Sequence, residues 1–155
     1  MRPAVLLGIL ALGLALGSLV LGHLIVVPAL QADTTLVDAN LARALSEPIA
    51  LRSAELSLIA AVIVAAVARP WLRHHAGTTL GLIAVGLAGL DRLVILPRVH
   101  EAWARVDLVA MRPVARIDAA EQLSMVHNVA LAAIALVLVG LAVLASWKRE
   151  AAKTF

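Results

Sequence analysis

Seven polar side chains interrupt long apolar stretches of this chain: His23, Arg52, Glu55, Asp91, Arg92, His127 and Asn128. A charge near mid-bilayer costs about 2.5–3.5 kcal/mol by insertion scales, so such groups turn toward one another or toward a wet cavity. Three chemistries suit this set. Arg52 with Asp91, and Glu55 with Arg92, would form an ion-pair lock between helices. The same cluster would serve as a ligand or proton-linked site opening outward. A metal or haem site would use His23 and His127, with Glu55 or Asp91, because imidazole and carboxylate suit zinc, iron or copper. No H-x-x-x-H or E-x-x-H spacing accompanies these residues. His74 and His75 read as solvated loop residues, and His100 as interfacial beside Trp103. No Ser-His-Asp arrangement, nucleotide loop or zinc box is recognisable, and no catalytic residue is assigned.

The elements that hold such residues must be membrane helices. Of 155 residues, 63% are hydrophobic and 15% charged, and mean hydropathy is +0.99. Soluble domains sit nearer half apolar and a quarter charged. That shift excludes a soluble enzyme, a disordered tail and a nucleic-acid module. Thirteen basic against ten acidic residues make no basic patch, and one Phe with no Tyr leaves little for base stacking. Zero cysteines removes disulfides, thiolate zinc sites and thiol chemistry together.

Spanning ~30 Å of hydrocarbon takes about 20 helical residues, and four stretches supply them: 3–30, 48–68, 76–97 and 122–147. The first is too long for a signal h-region and ends without a clear A-x-A-like site, so it reads as an uncleaved helix. The second begins at Pro48, tolerated in a first turn, with Ser46 as its cap. Asp118 and Glu121 make a capping-box-like pair before the fourth. The expected fold is an all-α four-helix transmembrane bundle, a single domain over 1–155.

Lys and Arg near the span ends number six on one side (Arg2, Arg69, Arg73, Lys148, Arg149, Lys153) and five on the other. With Trp71 and Trp147 at one interface and the short 69–75 connection, this places both termini in the cytoplasm. Two outer segments, Thr35–Leu45 and the Val99, Trp103, Val106, Ala110 stripe, read as amphipathic helices at the outer interface or capping the bundle. The second reads equally as a solvated helix laced by Arg98, Glu101 and Arg105.

An offset of 69 residues lays Gly8 on Gly77, Ala15 on Ala84, Gly17 on Gly86 and Pro28 on Pro97. The text HLIVVPAL then covers RLVILPRV, and Val37-Asp38 covers Val106-Asp107. The chain reads as two parallel helix hairpins, with each odd span ending at a proline. Gly13/Gly17 and Gly77/Gly81 are small-xxx-small pairs, suited to packing within one bundle or to a homodimer face. Along the helices, His23 lies about 7 Å inside Pro28 and Asp91 about 9 Å inside Pro97. The stretches 5–20, 59–68, 78–90 and 129–146 carry no ionisable group, so the bundle is expected to be dry at its cytoplasmic end and polar at its outer end.

The text VVPAL ending span one, ILPRV ending span three and LSMVHNVAL opening span four resembles a bacterial family of four-helix membrane proteins of unknown function related to vertebrate transmembrane protein 205. Pro28, Pro97, His127 and Asn128 are the matching positions; His23 and the Asp91-Arg92 pair are outside that pattern. VVPAL alone is also similar to anthrone-oxygenase-like four-helix proteins, whose Asn- and Trp-rich stretches this chain lacks. The resemblance implies a bacterial inner-membrane protein and fixes no reaction. The expected class is non-enzymatic: an accessory subunit of a membrane complex, or a small binding or permeation bundle in the lipid bilayer, with no cofactor and no nucleic acid. The alternative is a membrane oxidoreductase or oxygenase, or a haem- or metal-binding bundle, built on His23 and His127.

Overall fold

The computed structural model describes residues 3–32, 38–72, 75–110 and 113–151, with side chains described as far as 147. Four helices carry the chain: α1 Pro3–Ala32, α2 Ala39–Leu72, α3 His75–Trp103 and α4 Val114–Ala151. All four are long and apolar enough to cross a membrane. Neighbours run antiparallel. Gly8 meets Trp71, Ser18 Oγ lies 2.7 Å from Ser57 Oγ, and Gln31 Nε2 donates to Ser46 Oγ at 3.2 Å along the α1–α2 seam. Both described chain ends therefore sit at one end of the bundle. The opposite end is called distal below.

The first outer segment is continuous with α2, whereas the second continues α3 only to Trp103 and then turns over 104–110, so the expected helical stripe through Val106 and Ala110 is not formed. At about 1.5 Å per residue, the 34 residues of α2 reach about 51 Å. The segment 39–45 is thus a distal extension of α2, not a helix lying across the interface; its expected members Thr35, Leu36 and Val37 lie outside the described residues. Pro48 is inside α2, not in its first turn. Asp38 is the cap in fact, accepting from the Leu41 amide at 2.9 Å. The Ser46 hydroxyl instead donates back to the Arg43 carbonyl at 2.9 Å. Likewise α4 starts at Val114, where Arg116 N–H reaches the Pro113 carbonyl at 3.0 Å, so Asp118 and Glu121 lie within the helix.

Neither odd helix ends at its proline. Each passes through one by way of a π-helical stretch, Leu19–Val26 in α1 and Asp91–Ile95 in α3. The last wide turn closes from Val27 N–H to the Gly22 carbonyl, and from Leu96 N–H to the Asp91 carbonyl. Pro28 and Pro97 follow directly. A proline normally breaks a helix because its ring crowds the carbonyl four back and it has no N–H. Here it stands where the register returns from five-residue to four-residue bonding, and the helix continues. Such wide turns are frequent at functional sites, and these two contain His23, Asp91 and Arg92.

The core at the terminal end is apolar and small-grained: Ala11, Leu12, Ala15, Ala60, Ala61, Val64, Ala84, Ile134, Leu138 and Leu141 are buried together. Small residues let backbones approach closely where lipid supplies no hydrophobic drive. A Cβ on Gly81 would lie 2.9 Å from the Ala65 Cα, so α2 and α3 need glycine there. Gly77 is buried against Leu72 in the same packing. At the distal end Val99, Val106 and Ile117 are buried as a cap. Asn40 Nδ2 donates to Asp107 Oδ1 at 2.9 Å, and Leu108 N–H to Asn40 Oδ1 at 2.9 Å, clasping the start of α2 to the α3–α4 connection.

Candidate functional site

The wide turn of α3 aims Asp91 into the bundle, where it is 2% exposed. Its partner comes from α4: His127 Nδ1 lies 2.6 Å from Asp91 Oδ1. A carboxylate only accepts, so the imidazole donates through Nδ1. Beyond it stands His23 from the wide turn of α1, the two ring centroids 5.4 Å apart and tilted by 53°.

Neighbouring serines hold the His23 ring. The Ser53 hydroxyl donates to the Ser18 carbonyl, which can only accept. With its one hydrogen committed, Ser53 Oγ must accept from His23 Nδ1, 3.1 Å away. Nε2 of His23 is buried without a partner. A Cβ on Gly22 would collide with Ser53, so the glycine before His23 is what lets α2 come this close.

Above these residues a cavity of about 720 Å³ runs between the helices, within the range of about 300–1,000 Å³ typical of ligand sites. Its lining is graded. Leu16, Leu131 and Ala135 form an apolar base, His23, His127 and Asn128 a polar middle, and Gln31, Arg43 and Glu47 a charged distal rim. From Ser124 to Ala135 along α4 it is about 16 Å deep. At the rim the Arg43 guanidinium stacks on Trp103, 4.1 Å from the ring centroid. His100 Nδ1 lies 3.3 Å from Glu47 Oε1. Val20 and Leu24 on α1 and Asn128 and Ala132 on α4 line the cavity yet are exposed. Because α1 and α4 meet sparsely, the cavity opens sideways along their seam.

Of the seven residues singled out by sequence, His23, Asp91 and His127 are brought together, and Asn128 joins the cavity wall. The ion-pair lock is not formed. Arg52 Nη1 pairs with Glu55 Oε2 at 2.7 Å on its own helix, with Arg52 79% exposed and away from Asp91. The three-residue spacing satisfies this pair locally, and the α2 face that meets α1 presents serines instead. Arg92 makes no ion pair among the described residues, and its Nε is buried without a partner. Among the described residues no group of three or more His, Asp or Glu is placed to hold a metal, and Glu55 stands apart with Arg52. Gly13 and Gly17 have open space where a Cβ would be, on a groove of about 630 Å³ that Arg52 also lines.

Sequence reasoning missed the rim and the positioning serine. His100 and Trp103 stand in the sequence as interfacial residues, Arg43 lies within the amphipathic segment 35–45, and nothing there singles out Glu47 or Ser53. The available signal was helical spacing once α2 extends distally: 43, 46, 47 and 50 share one face, as do 96, 99, 100 and 103 on α3. His74 lies outside the described residues. Comparison with protein-family models, with curated proteins and with solved structures finds no match.

Proposed function

We propose that this protein is a small membrane binding protein that takes up a single-tailed amphiphile from the bilayer through the seam between α1 and α4. The carrying observation is the grading of one laterally open cavity from an apolar base to a charged rim. An amphiphile in the leaflet has the same grading, head toward water and tail toward the membrane centre. It enters sideways without leaving its preferred depth. The tail takes the place beside Leu16, Leu131 and Ala135, and the head lies among the histidines below Arg43. The terminal half is packed with alanine and leucine, which favours binding over permeation.

The test uses tryptophan fluorescence in nanodiscs. Trp71→Phe with Trp147→Phe leaves Trp103 at the cavity rim as sole reporter. A detergent with a bromine-terminated dodecyl chain should quench it saturably, with the unbrominated detergent competing. Quenching that rises linearly, as for a variant retaining Trp147 alone, would overturn the reading.

The orientation with both termini cytoplasmic places the cavity in the outer leaflet. A single cysteine at exposed Ala110, in a chain that has none, should then label from outside intact cells. The two-hairpin repeat gains support from the wide turns, whose closing bonds Val27–Gly22 and Leu96–Asp91 stand at the same 69-residue offset. Asp38 and Asp107, also related by that offset, both cap backbone amides just after them.

A further inference from the structure

We infer that the occupant of this cavity carries a carboxylate at its head, as a fatty acid does, and that the Arg43 guanidinium at the rim holds it. This rests on the binding reading above and adds the head-group chemistry.

Arg43 is a charge on the cavity wall that the protein leaves unanswered. Its stacking on Trp103, 4.1 Å from the ring centroid, steadies the guanidinium plane and spends none of its hydrogens. Among the described residues the guanidinium enters no hydrogen bond and no ion pair. Its nitrogens are not shut away either, since the buried, unpartnered side-chain atoms there are His23 Nε2 and Arg92 Nε. The N–H fork is therefore open at the rim.

Two neighbours add to the surplus of donors. Gln31 gives one Nε2 hydrogen to Ser46 Oγ and keeps another. The Asn128 amide is exposed on the wall and makes no hydrogen bond among the described residues. Glu47, the acid of the rim, is by contrast already served: Oε1 lies 3.3 Å from His100 Nδ1, and the side chain is 46% exposed to water. A head made of oxygen acceptors matches this wall, and an ionised one gains most, because charge-assisted bonds are the stronger kind. The planar guanidinium takes both oxygens of a carboxylate at once. Glu47, four residues from Arg43 on the same helix face, disfavours a doubly charged phosphate in its place.

Dodecyl-chain probes differing only at the head test this in nanodiscs of neutral lipid, each competing with the brominated detergent for Trp103. They are dodecanoate, its methyl ester, dodecyltrimethylammonium and dodecyl phosphate, used at about pH 9 so that the carboxylic acid is ionised. The concentration that halves the quenching is read, which does not depend on the brightness of Trp103. Dodecanoate should bind about tenfold or more tightly than the ester or the cation, and more tightly than the phosphate. Arg43→Gln should erase the preference over the ester, and Arg43→Lys, which keeps the charge without the fork, should reduce it. Arg98→Gln removes an exposed cation of α3 outside the cavity lining and should leave the preference intact. The variants are checked by thermal unfolding, and either Arg43 variant that stays folded suffices. Equal affinities of dodecanoate and ester in the natural protein overturn the carboxylate inference and leave the binding reading standing. So does a preference that survives at a folded Arg43 variant or falls equally with Arg98→Gln, or phosphate bound as tightly as dodecanoate. If no probe displaces the detergent, the binding reading falls with it.

Discussion

Asp91 Oδ1 lies 2.6 Å from His127 Nδ1, joining the wide turn of α3 to the middle of α4 at the floor of the polar half. The contact orients one imidazole and satisfies the buried carboxyl in the same stroke. Because the partner is a histidine, which can stand neutral, removal strands a polar group and not an obligatory charge. Asp91→Ala should thus cost about 1–3 kcal/mol, read as a lowered unfolding midpoint in detergent, and Asp91→Asn should cost less.

Arg52 offers the contrasting case. Its pair with Glu55 is exposed and local, so Arg52→Ala should change stability by about 0–1 kcal/mol. Combined with Asp91→Ala, the two effects should add to within about 0.5 kcal/mol. A double variant more stable than Asp91→Ala alone would restore the ion-pair lock that the sequence suggested.

The contrast explains how far the site is legible in sequence. Depth within the helices identifies His23, Asp91 and His127, because buried polar residues in apolar text need partners whatever the fold. Which partner each takes depends on helix rotation, and the π-helical turns before Pro28 and Pro97 alter that rotation. A proline marks the place but not the solution: it reads as an end, whereas the chain uses wide bonding and goes on. The rim stayed hidden for a related reason. Arg43 and His100 belong to segments that read as lying at the outer interface and Glu47 to the connection before span two, until α2 and α3 are seen to continue through them.

The glycines make a paired prediction. Gly22→Ala should drive a methyl into Ser53 and cost about 1–3 kcal/mol by overpacking, with Ser53→Gly relieving the collision. Gly13→Ala meets open space and should leave the unfolding midpoint unchanged or slightly raised. Circular dichroism melts of the four proteins decide it.

The distal clasp should respond to acid. Hydrogen bonds from Asn40, and then from the Ala110 and Val109 amides, hold the Asp107 carboxyl below its ordinary value of 3.8. A folded value below the unfolded one means the clasp contributes fully above pH 3.8 and is lost as pH falls through the lower, folded value. Hydrogen exchange at Leu108 and Val109 should accelerate in that acid window. Asn40→Ala should produce faster exchange at neutral pH, and an unchanged rate there would contradict the clasp.

Photolabelling from within the bilayer tests the central claim most directly. A single-tailed amphiphile with a diazirine at the tail end, placed in nanodiscs with the natural protein, marks whatever lines its path. The account predicts adducts concentrated at Leu16, Val20, Leu131 and Ala135, on the facing sides of α1 and α4, and suppressed by excess unlabelled amphiphile. Adducts spread over lipid-facing residues such as Leu82, Leu136 and Val143 without competition would contradict it.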